Sequence, residues 1–151
     1  MICTTKPLED ALGALESALA TPVIAGELPQ WCEVASHACN EMEICLKTAV
    51  RENHTPLIKE IFAIDPEQAR HVDQLKQADV ELQQHVAAFG QRLVELCDAA
   101  VVVEPDEQRI AERVEDTIKS GLDLVISVRR QEMALTTWHS EALKRDRGVV
   151  D

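Results

Sequence analysis

The sequence predicts an all-α protein, an antiparallel up-and-down four-helix bundle built as one domain. Apolar residues recur every three or four positions over long stretches, the helical period. The six prolines (Pro7, Pro22, Pro29, Pro56, Pro66, Pro105) stand where that period starts or stops. Aromatic residues make up only 3% of the 151, tyrosine is absent, and turn-forming glycine numbers 5. A sandwich or barrel needs β-branched and aromatic strands separated by frequent turns, so that class is excluded.

The first helix is predicted over 7–20, with Leu8, Leu12, Leu15 and Leu19 on one face. The second opens near Pro29 and carries Trp31, Val34, Ala35, Ala38, Met42, Cys45, Leu46 and Ala49. It either ends near Asn53 or bends at Pro56 and continues to about 63. Asp65-Pro66-Glu67 has the chemistry of a helix start, with Asp as cap and proline at the first helical position. The third helix, 66–100, follows with Val72, Leu75, Leu82, Val86, Phe89, Leu93 and Cys97 as its stripe. The fourth, 105–143, begins at Glu104-Pro105 and carries Val114, Ile118, Leu122, Val125, Ile126 and Met133. Between these two, Val101-Val102-Val103 reads as an apolar corner packed on the first helix, and Lys144 to Gly148 as a fraying tail. Gly90 and Gly121 interrupt long helices and point to close approach or bending.

Composition narrows the function. Hydrophobic residues at 46% suffice for a core, and Asp plus Glu at 27 against Lys plus Arg at 15 gives a net charge of −12. That surface repels nucleic acid and anionic membranes and would suit a basic protein partner of unspecified identity. No apolar run approaches ~20 residues, so no membrane span is expected. Glu9, Asp10 and Glu16 near the start, without a basic region, argue against a signal peptide. Five cysteines, an odd number without a C-x-x-C, suggest neither a disulfide framework nor a zinc site. A cytoplasmic protein is expected, with Cys32, Cys39 and Cys45 as apolar fillers; a redox role would need a second thiol within reach. No nucleophile triad, phosphate-binding glycine loop or basic stripe is present, so an enzyme is not expected.

The informative residues are polar ones on apolar faces. Asp79 falls mid-stripe between Leu75 and Leu82, with His71 close to the same face. Arg129 and Glu132 fall inside the fourth helix's stripe, and Asn53 continues the line of Trp31, Met42 and Ala49. Folding the helices back on one another brings Asn53, His71, Asp79, Arg129 and Glu132 into one layer. Three readings are open. The layer is an ion-pair network joining Asp79 to Arg129 and His71 to Glu132, a metal site with His71, Asp79 and Glu132 as ligands, or a set of boundary residues in water. Glu33, His37 and Glu41 share a helical face turned outward, and His54 and His85 are read as flanking, solvated positions.

The run from Asn53 to Glu67 resembles a junction of the hemerythrin-like (HHE cation-binding) family, where a second helix with His-x-x-x-Glu-Glu-x-x-Leu-Phe-Pro precedes an Asp-Pro-Glu-type helix start. Ala69 to Leu82 is similar to that family's third helix, and Ser127 to Leu135 to a second His-x-x-x-Glu-Glu-x-x-Leu copy. The resemblance implies a four-helix bundle around a di-iron centre that carries oxygen or senses iron, oxygen or nitric oxide. Its ligand positions fall on Ala49, Asn53 and His54, then Ala78 and Asp79, then Ser127 and Glu132. Most imidazoles the iron would need are therefore replaced. Two functions are expected from this: a metal-free interaction or regulatory module without a cofactor, its metal layer replaced by a salt-bridged network that includes Arg129, or an iron-binding sensor with a reduced ligand set.

Overall fold

The structure, a computed structural model, describes residues 6–24, 26–101 and 106–146. They form α1 (Lys6–Ala20), α2 (Leu28–Ala49), a π-helical turn (Val50–His54), α3 (Thr55–Ile64), a 3-10 turn (Pro66–Gln68), α4 (Ala69–Ala100) and α5 (Glu107–Asp146). The described residues contain no strand. No helix among them is long and apolar enough to cross a membrane.

Pro56 explains the junction of α2 and α3. A proline inside a helix lacks an N–H and its ring crowds the carbonyl four residues earlier. The chain stays helical by widening: Thr55 N–H bonds back to the Val50 carbonyl, five residues away, and backbone angles remain helical on both sides. Helical backbone thus runs from Leu28 to Ile64, the continuing one of the two alternatives.

Around this rod, α1 packs on α2 and α5, and α4 packs on α2, α3 and α5. The interior divides into two apolar clusters. The larger joins Leu8, Leu12, Leu15 and Leu19 to Met42, Leu46, Val86, Leu93 and Val125. The smaller joins Leu57, Ile58 and Ile61 to Val72, Leu75 and Leu135. α1 contributes to the first and not to the second.

The core face of α5 departs from expectation. Val114, Gly121, Val128 and Leu135, spaced by seven, lie buried, together with Thr117, Leu124, Val125 and Gln131. Ile126 and Met133, which the sequence pattern puts in the core, are exposed at 46% and 69%. Gly121 and Gln131 hid this line because neither is apolar. Gly121 is there for close approach: a Cβ on it would lie 2.4 Å from Leu19 Cδ1 and 2.7 Å from Phe89 Cζ. At Gly90 a Cβ would meet only Cys39 Sγ, at an ordinary 3.7 Å.

The ends also differ in detail. Asp65 does not cap through its side chain; buried at 7% exposure, it accepts from Gln68 Nε2 at 3.3 Å and from the Arg145 guanidinium at 3.2 Å. α5 starts at Glu107, capped by Asp106 Oδ1 accepting from the Arg109 N–H at 3.2 Å. Val101 is 71% exposed rather than packed on α1. Val102, Val103, Glu104, Pro105, Arg147 and Gly148 lie outside the described residues.

Candidate functional site

A polar layer separates the two apolar clusters, and its centre is His54, 2% exposed. The π turn puts it there. In an α-helix the residue below Ala49 is Asn53, four positions on; in a π turn it is the fifth, His54. Asn53 is left half-buried, and His54, expected in solvent, points into the interior.

His54 lies between two acids from different helices. Its Nδ1 faces Asp79 Oδ1 of α4 at 2.8 Å, and its Nε2 bonds Glu132 Oε1 of α5. An ionised carboxylate only accepts, so both ring nitrogens donate and the ring is an imidazolium. Burial alone would drive the histidine toward its neutral form. The hydrogen bonds and charges of Asp79 and Glu132 outweigh it and raise the pKa to about 9.

One positive charge stands against two negative ones, and the surroundings treat the acids differently. Asp79, 4% exposed, also accepts from Gln131 Nε2 at 3.0 Å, while the same amide nitrogen donates to the Leu75 carbonyl at 2.9 Å. Glu132, its side chain 12% exposed, reaches the wall of a surface depression of about 410 Å³ beside Glu9, Arg129 and Met133. The buried acid has an extra donor in Gln131, and the outer acid is the more exposed of the two.

The five residues expected in one layer do not stay together, and Asn53 is displaced by the π turn as described above. Asp79 and Glu132 converge, but through His54. Arg129 does not pair with Asp79. It turns outward and binds Glu9 Oε1 at 3.1 Å and Glu16 Oε2 at 2.9 Å on α1. Its error is that of the whole α5 face: with Val128 and Gln131 inward, Arg129 sits at the edge. His71 does not meet Glu132; its Nδ1 bonds Gln68 Oε1 at 2.6 Å and its ring stacks on Trp138 at 3.7 Å between centroids. The candidate ligand set of His71, Asp79 and Glu132 is thus not assembled. No group of three or more His, Cys, Asp or Glu side chains able to hold a metal is formed among the described residues.

Sequence reasoning missed His54 and Gln131. The available signal was Pro56, two residues after the histidine, which implies a local change of helical phase.

No model of a known protein family matches this chain, and neither does any curated protein or any solved structure.

Proposed function

We propose that this chain is an antiparallel up-and-down four-helix bundle of hemerythrin-like design that works without metal, as a non-catalytic interaction or regulatory module in the cytoplasm. The observation that carries the proposal is the closed Asp79–His54–Glu132 triad. An imidazole binds a metal through a nitrogen lone pair, and an imidazolium donating from both nitrogens has none to offer. His54, Asp79 and Glu132 all stand at positions where the resemblance puts ligands, and each is used to hold another. The positive charge in the interior is then the protein's own proton. One imidazole with both nitrogens engaged does not fit a di-iron centre.

The module reading draws on the surface above Glu132. Met133, 69% exposed, lines the depression together with Glu132, Glu9 and Arg129, and Ile126, seven residues before it on α5, is exposed as well. A partner seated there would touch the outer acid of the triad directly. The iron-sensor reading needs His71 beside Asp79 and Glu132, and His71 is occupied by Gln68 and Trp138.

The test is elemental analysis and visible absorption of protein purified from iron-supplemented cells. Colourless protein with iron far below one atom per chain supports the proposal. Stoichiometric iron with visible absorption overturns it.

A further inference from the structure

The structure assigns a second chemical site, at some distance along the helices from the histidine: a pair of thiols on neighbouring helices. In α2 and α4 residue numbers run in opposite directions, since Cys39 faces Gly90 while His54 faces Asp79. Two helical turns, seven residues, back from Cys39 is Cys32, and seven on from Gly90 is Cys97. The same contact line therefore brings Cys32 opposite Cys97, near enough for Cys97 to act on the Cys32 thiol. Cys32 is wholly buried in the larger cluster, and Cys97 packs against that cluster half-exposed. The sequence spacing concealed this, because the partners are far apart in the chain.

We propose that Cys32 and Cys97 are a redox-responsive pair that closes to an intramolecular disulfide when a peroxide oxidises the protein. The more accessible Cys97 sulfur gives up its proton and attacks one peroxide oxygen, forming a sulfenic acid, and the departing hydroxide takes up a proton and leaves as water. The Cys32 sulfur then attacks the Cys97 sulfur. Its proton leaves with the hydroxyl group as a second water, and the S–S bond forms. Two thiols are oxidised by two electrons and one hydrogen peroxide becomes two waters. Burial, then the hydrogen bond with and charge of Cys97, push the Cys32 thiol up to about 12. Cys32, wholly buried, is shielded from oxidants in solution, and the sulfur within its reach is that of Cys97. The bond would tie the first turns of α2 to the last turns of α4.

Cleavage after glutamate separates the relevant cysteines, with Cys32 in 28–33 and Cys97 in 96–107. Protein treated with hydrogen peroxide is alkylated and mapped without reductant. The expected result is an intact mass lower by about 2 Da, one linked peptide pair, 28–33 with 96–107, and full reversal by a phosphine. In Cys97→Ser, Cys32 stays alkylatable after peroxide. In Cys32→Ala, Cys97 proceeds to the sulfinic acid, a gain of about 32 Da. Cys32 still alkylatable in oxidised wild type, a link from Cys97 to Cys39 or Cys45, or a covalent dimer would overturn the proposal.

Discussion

At His54 a charge is buried where an apolar side chain would cost nothing to desolvate, and its retention depends on both acids. Replacing His54 by alanine leaves Asp79 and Glu132 facing each other across a cavity. Urea denaturation at pH 7 is expected to show a loss of about 3–5 kcal/mol. Arg129 gives the opposite expectation. Its partners Glu9 and Glu16 have side chains 48% and 46% exposed, so Arg129→Met should cost less than about 1 kcal/mol. Had it been the partner of Asp79, as its sequence position suggested, the cost would have been several times larger. An equal cost for the two variants would place the interior charge on the wrong residue.

At the scale of the element, Gly90 and Gly121 make a controlled comparison. Both should gain about 1 kcal/mol on substitution by alanine from helix propensity alone. At Gly90 the new methyl group meets Cys39 Sγ at 3.7 Å, and Gly90→Ala should raise the thermal midpoint. At Gly121 it would penetrate Leu19 and Phe89, forcing α5 away from α1 and α4. Gly121→Ala should lower stability by about 1–3 kcal/mol. Calorimetry of the two variants should therefore give shifts of opposite sign.

The same scale shows what could be read in advance. The stripe of α4 was legible from Val72 to Leu93, as was the anomaly of Asp79 within it, because α4 is one uninterrupted helix whose core residues are apolar. The face of α5 was misplaced because its line passes through Gly121 and Gln131, which carry no apolar signal, while Ile126 and Met133 mark a false one. His54 was misread because a uniform helical rotation cannot represent a π turn. Hence Asp79 and Glu132 were found, the residue joining them was not, and Arg129 was given its place.

For the whole molecule, the triad links stability to pH. A histidine whose pKa rises on folding binds its proton more tightly in the folded state. Its contribution is complete below the unfolded value of 6.5 and disappears as pH rises through about 9. Between those limits stability should fall by something on the order of 3 kcal/mol, and in His54→Ala that slope should vanish. The layer also stands between the two apolar clusters, so weakening it uncouples the α3 end from the part of the core that α1 covers.

The most direct measurement is the ring nitrogen NMR spectrum of His54, recorded from pH 6 to pH 10 and assigned by the loss of its signals in His54→Gln. The account expects both nitrogens protonated at pH 7, each coupled to a slowly exchanging proton, with a midpoint near 9. A neutral ring at pH 7 with one bare nitrogen, or a signal broadened by a metal bound there, would contradict it.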